Sequence, residues 1–302
     1  MKPLFICSRF LPLFALIGAL VSAPAAGQVT ATKLNPLDEW QAELSDGLCT
    51  ISRNFGRATA PTRIELRNRD PWNGGFDVAI SSARFAATDA PFTAGWLPGG
   101  RIVTIHRPSY EDTGQSRKTV VFRHGLWDGA MPASGTPEYE QYWSRDEAGE
   151  IIGPLRFKQN VESFLVNGAF ERPLLFATGP MDAVLDARDA CIDEMLVSKG
   201  IDPSVEDRDD HRVELTNHRS LARVIFRRIP ETMRFAQNWG GVTFLVFLDS
   251  NASITACHLN SMPYDADYEK FGCDQLRSNA RFRFKDGETP QPAFFKLHAS
   301  LD

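Results

Sequence analysis

Residues 242–249 (Val-Thr-Phe-Leu-Val-Phe-Leu-Asp) are β-branched and aromatic almost throughout, and Ser250-Asn251 has the chemistry of a turn. Residues 253–260 then alternate Ile254, Ala256 and His258 against Thr255, Cys257 and Leu259. A β-hairpin is what such a stretch forms, and it dictates the reading of its neighbours. Before it, Pro230 suits a first helical turn, Met233, Phe235, Ala236 and Trp239 supply an apolar side, and Gly240-Gly241 can end the helix. After it, Tyr268, Gly272, Leu276 and Ala280 recur every four residues, with Cys273 beside them, which predicts a helix over 267–279. Residues 293–300 read as a last strand.

The chain has 302 residues, 43% of them apolar and 24% charged, enough for two domains. Lys2 and Arg9 flank a basic leader, residues 10–21 are apolar, and Ala23-Pro24-Ala25 offers small residues for cleavage. Residues 1–25 therefore read as a secretory signal, too short in its apolar run for the ~20 residues that span a bilayer. Association with a membrane is expected only if this segment stays as an anchor. Removing Lys2 and Arg9 from the 33 basic residues leaves 31 against 38 acidic ones, a net of −7, which argues against a nucleic-acid partner.

Four cysteines remain after cleavage, an even number in an exported chain, and this argues for disulfides in the oxidising periplasm. Three pairings are possible. Cys257 with Cys273 is preferred, because a hairpin strand and the helix packed on it would bring them face to face. Cys49 with Cys191 follows by elimination.

Upstream, strand signals dominate. Residues 48–52, 62–67, 76–80, 101–106, 119–123, 155–157 and 163–166 alternate or carry β-branched side chains, with turn clusters such as Asn73-Gly74-Gly75 and Pro98-Gly99-Gly100 between them. Residues 182–199 read as a helix, with Pro180 in the first turn and Gly200 placed to cap it. Val184, Arg188, Cys191 and Met195, with the neighbours Leu185, Ile192 and Leu196, form the stripe that faces a core. The predicted fold class is α+β. Residues 26–40 form a flexible mature N-terminus and 41–201 a β-rich domain ending in the helix. The charge-rich stretch 202–220 is a linker, and 221–302 are a small domain of helix, hairpin, helix and strand.

This last domain resembles the C-terminal domain of the TonB family, the periplasmic part of energy transducers that contact outer-membrane receptors. The resemblance rests on Ile229-Pro230, on Gly241-Val242 entering the first strand, on residues 249–257 of the hairpin, and on Cys273-Asp-Gln-Leu276 followed by Ala280-Arg-Phe282. Ala252 stands where the family's turn usually has Gly. Residues 49–56 and the pieces Thr178-Gly-Pro and 190–196 resemble a subset of exported TonB-family proteins with a β-rich N-terminal domain. The resemblance implies a periplasmic protein-binding module linked to outer-membrane transport. An extended peptide of an envelope protein would add to the last strand by β-augmentation, through Ala293, Phe294, Phe295, Lys296, Leu297, His298, Ala299 and Ser300. By alternation Phe294 and Phe295 lie on opposite faces, so at most one is core and the other is available to a partner.

No cofactor, metal site or enzymatic activity is expected. The six histidines, His106, His124, His211, His218, His258 and His298, fit no metal-ligand spacing, and no Cys-x-x-Cys is present. Asp209-Asp210-His211 reads as a solvated charge run, and no Gly-x-Ser-x-Gly elbow occurs. Trp72 and Trp96 read as turn aromatics over a sheet end. The rival functions are an exported hydrolase, with a site in residues 139–147 or around His106 and His124, and a purely structural envelope protein.

Overall fold

The computed structural model describes residues 30–69, 75–88, 90–98, 102–106, 108–112, 118–125, 137, 161–203, 212–234, 242–261, 264–285 and 287–299. The chain divides into two compact units, Met1–Thr30 and Ala31–Asp302, and every element below belongs to the second. The fold is mixed α+β and rich in strands. Residues 1–25, read above as a secretory signal, lie outside the described residues, among which no helix is long and apolar enough to cross a membrane.

Two sheets form the first part. One runs β2 (Gln41–Ser45), β3 (Leu48–Arg57), β4 (Ala60–Asn68), β5 (Gly75–Ser82), β9 (Lys118–Gly125), β8 (Ser109–Asp112), all antiparallel. The other runs β1 (Thr32–Leu34), β11 (Leu174–Phe176), β10 (Ser163–Asn167), β6 (Phe92–Leu97), β7 (Val103–Ile105), with only β1 parallel to its neighbour. Alternate residues of each sheet meet in one core: Ile51, Phe55, Ile64, Leu66 and Phe122 from the first, Ala94, Trp96, Phe164 and Phe176 from the second. Ring contacts cross between the sheets, Phe55 to Phe176 at 5.3 Å and Phe92 to Phe122 at 5.0 Å. The turn from β2 to β3 is Asp46-Gly47, both at positive φ (50° and 68°), the two-residue turn whose twist matches antiparallel strands.

Three expectations are corrected here. Residues 30–40 are not a loose tail: β1 pairs with β11, Leu34 is buried in the core, and the Asp38 carboxylate accepts the Asn54 backbone N–H at 2.9 Å and its side-chain amide at 2.7 Å. Trp96 is no turn aromatic. It sits within β6, fully buried against Phe164. The stretch read as a linker is described at 202–203 and 212–220, where β12 (Val213–Leu215) pairs with β15 (Phe282–Phe284), because Val213 and Leu215 bury on the C-terminal core. Residues 155–157 lie outside the described residues.

Helix α1 (Asp182–Ser198) buries its predicted stripe except Arg188, which pairs with Asp189 instead. Gly200 closes it at φ +75°, its N–H donating to Val197 O at 2.9 Å while Ile201 N donates to Leu196 O at 3.0 Å. Val184 and Leu185 enter the core of the two sheets. Cys191, Ile192, Met195 and Leu196 enter a separate cluster with Cys49, Leu245, Phe247 and Phe294, so the second half of the helix lies on the C-terminal sheet.

That sheet is antiparallel in the order β14 (Ile254–Leu259), β13 (Val242–Leu248), β16 (Ala293–Ala299). Val242, Phe244, Val246 and Leu248 face helices α2 (His218–Arg227) and α4 (Ala266–Asn279) and the short α3 (Glu231–Arg234), whereas Leu245 and Phe247 face α1. Both faces are thus covered, which is why β13 reads as an unbroken apolar run instead of an alternating one. Helix α4 begins at Asp265, whose carboxylate accepts the Tyr268 N–H at 2.8 Å. It approaches β13 at Gly272, where a Cβ would come within 2.2 Å of Phe244 Cζ.

Both disulfides are those expected, Cys49–Cys191 with Cα atoms 5.9 Å apart and Cys257–Cys273 at 5.7 Å. In the chain-entropy view the first closes a loop of 142 residues and stabilises by about 5 kcal/mol, the second closes one of 16 and stabilises by about 3 kcal/mol. Two such bonds fit an exported chain.

Candidate functional site

β16 lies at one end of the described order of its sheet. Its register against β13 runs from Ala293 opposite Leu248 to Ala299 opposite Val242. On β13, Thr243 O accepts from Asn260 N at 2.8 Å, Thr243 N donates to Ser261 Oγ at 2.8 Å, and Asp249 N donates to Ser253 O at 2.9 Å. These bonds aim the main-chain groups of Thr243, Leu245, Phe247 and Asp249 towards β14. The groups of Val242, Phe244, Val246 and Leu248 therefore point to β16. In an antiparallel ladder it follows that Ala293, Phe295, Leu297 and Ala299 exchange hydrogen bonds with β13, while Phe294, Lys296 and His298 direct their N–H and C=O away from it. Each of these three residues also makes a further interaction.

Phe294 and Phe295 lie on opposite faces of the strand, as alternation requires. Phe294 is fully buried against Phe247 on the α1 side, and Phe295 is half-buried on the α2 side, 5.3 Å from Phe282. Phe294 alone is core, because α1 reaches over from the first part of the chain and covers the face that a three-stranded sheet alone would leave open. His298 is exposed with Nδ1 3.1 Å from Thr243 Oγ1, Lys296 is half-buried, and Ser300 lies outside the described residues.

The other end of the sheet carries a cluster that sequence reasoning missed. His258 of β14 projects towards the β2–β3 turn, where a Cβ on Gly47 would lie 3.2 Å from its Nε2. Its Nδ1 is 3.4 Å from an Arg69 nitrogen. Arg69 in turn stands 3.9 Å from Glu269 and over the ring of Tyr264 at 5.8 Å, and Glu269 accepts the Leu259 N–H at 2.7 Å. Burial, reinforced by the positive charges of Arg69 and Lys199, pushes the His258 pKa down to about 4. Burial and the Glu269 carboxylate raise that of Tyr264. The only signal in the sequence was His258 on the apolar side of an alternating strand.

His124 is fully buried, with Nε2 3.3 Å from Ala94 O and the rings of Phe164, Trp96 and Phe122 around it, whereas His106 is exposed after β7. Among the described residues no three His, Cys, Asp or Glu side chains gather as metal ligands. Residues 139–147 and Trp72 lie outside the described residues. No family model, no curated protein and no solved structure matches the chain.

Proposed function

We propose that the chain is an exported protein-binding module, with a β-rich N-terminal part carrying one packed helix and a C-terminal unit of the TonB kind, and that it takes up an extended peptide of an envelope partner along β16. The observation that carries this reading is the hydrogen-bond direction along the last strand: Phe294, Lys296 and His298 turn their main-chain groups away from β13 at the end of the described order. Helix, hairpin, helix and terminal strand in the order β14-β13-β16 support it. The reading does not need a vacant edge. Peptide uptake would be an exchange, the incoming strand replacing the contacts these residues already make, with main-chain bonds supplying affinity.

Proline separates the two sides of the strand. Lys296→Pro removes an outward N–H and leaves the β13 ladder intact, whereas Leu297→Pro removes a ladder bond and unfolds the sheet. Peptides selected from a display library by the mature protein are expected to bind Lys296→Ala within about twofold of wild type, since the backbone is unchanged. They should be lost by Lys296→Pro at near-normal thermal stability. Selection of no extended peptide, or equal binding by every folded variant, would remove the mechanism.

A further inference from the structure

We propose that the arginine side of α2 is a docking surface for an anionic phospholipid bilayer, a function separate from peptide uptake along β16. Residues 218–228 carry Arg219, Arg223, Arg227 and Arg228 and no acid, in a chain whose overall charge is −5. The orientation of the helix is settled by its other side: Leu221, Ala222, Ile225 and Phe226 are buried in the C-terminal core, and all four arginines are exposed.

At its start the charge arrangement works against the helix, although Arg227 in the last turn suits the dipole and Arg228 lies over the Phe271 ring at 5.0 Å. Arg219, Arg223 and Arg227 follow one another at i, i+4, about 6 Å apart along the axis, where like charges are unfavourable. His218 and Arg219 occupy the first turn, the positive end of the dipole, with no acidic residue there. Arg219 and Arg223 make no ion pair among the described residues. Elsewhere the same fold follows the ordinary rules. Arg63 and Arg67 of β4 both pair with Glu65, and α4 has Asp267 and Glu269 in its first turn and a Lys270–Asp274 pair.

The patch continues beyond the helix. The Asn217 side chain donates to Asn279 O at 2.8 Å and accepts the Arg281 N–H at 3.1 Å, which holds exposed Arg281 beside the start of α2. Val224, 44% exposed, is set among the arginines. Guanidinium forks match the phosphate oxygens of anionic lipid headgroups, so the patch suits a bilayer that carries them. The negative charge of the rest of the chain is screened over about 8 Å at physiological salt, so at contact the local patch governs.

Co-sedimentation of the mature protein with vesicles containing phosphatidylglycerol, against phosphatidylcholine alone, tests this. Binding is expected to the first only and to weaken with salt. Each arginine neutralised should cost about fivefold, so Arg219→Gln with Arg223→Gln should cost about 25-fold. The same double change to Lys should keep most of the binding, and Arg57→Gln with Arg172→Gln, exposed and distant in sequence, should change nothing. Neutralising the patch should leave thermal stability unchanged or higher, because repulsion is relieved. The proposal is overturned if the protein ignores anionic vesicles, or if the control pair loses as much. It is equally overturned if a polyglutamate peptide, and not the vesicle, shows the arginine dependence, which would reassign the surface to an acidic polypeptide.

Discussion

β4 and β13 are both interior strands of antiparallel sheets, yet they are built from different residues. In β4, Thr62, Ile64, Leu66 and Asn68 point into the core, and Arg63, Glu65 and Arg67 point out. The outward residues join across strands, Arg63 to Ser52 at 2.7 Å and Arg67 to Glu111 at 2.7 Å. In β13 only Thr243 escapes burial. The difference lies in the number of neighbours: the outward side of β4 carries charged groups, while β13 has α2 and α4 on one face and α1 on the other. What a strand can contain is decided by what covers it, and for β13 half of that cover comes from about fifty residues upstream in the sequence.

The largest expected effect tests the second face. Phe247→Ala should cost about 4 kcal/mol, the range for emptying a buried phenylalanine site, whereas Arg67→Ala on the outward side of β4 should cost about 1 kcal/mol or less. Denaturant unfolding of the two variants decides it, and similar small losses would mean that α1 contributes nothing to β13.

A smaller effect concerns the first face. Gly272→Ala would gain about 1 kcal/mol of helix propensity but would drive its Cβ into the fully buried Phe244 ring. Overpacking of this kind costs up to about 3 kcal/mol, so a net loss of about 2 kcal/mol is expected in thermal unfolding. A stabilised variant would show that α4 and β13 are not held at this separation.

An effect of similar size, confined to a pH window, lies at the β14 end. The folded pKa of His258, about 4, is below its ordinary value of 6.5, so the unfolded chain binds the extra proton between these limits. The contribution of the neutral ring is fully present above about pH 6.5 and is lost progressively as the pH falls towards 4. The full shift corresponds to about 3 kcal/mol, and solvent screening at a partly exposed ring reduces it to about 2 kcal/mol. His258→Gln should flatten the stability profile in that window. An unchanged slope would remove His258 as its source.

Much of this was legible locally. The strands around residues 48–52, 62–67 and 119–123 alternate because one face is wet, and α1 shows an apolar stripe between Pro180 and Gly200. Cys257 and Cys273 could be paired because hairpin and helix are consecutive. β6 was hidden, since Ala94 and Gly95 blunt its alternation and Trp96 stands next to a Pro-Gly-Gly turn signal. β12 was hidden in a charged stretch, its three residues held by a strand about seventy positions away. Alternation put Phe294 and Phe295 on opposite faces, but which of them becomes core was beyond local reasoning, because no pattern within β16 announces that α1 will lie on it.

Helix α1 lends its first turns to one core and its last turns to another, and Cys191 bonds it covalently to β3. The C-terminal unit is consequently not a cassette that can be cut out and transplanted. A fragment starting at residue 212 would carry its own disulfide and its helices, yet it would expose Leu245, Phe247 and Phe294 as a greasy sheet prone to self-association. Any lineage that fused this unit to a different leader or stalk would have had to bring α1 along or repaint that face with polar residues.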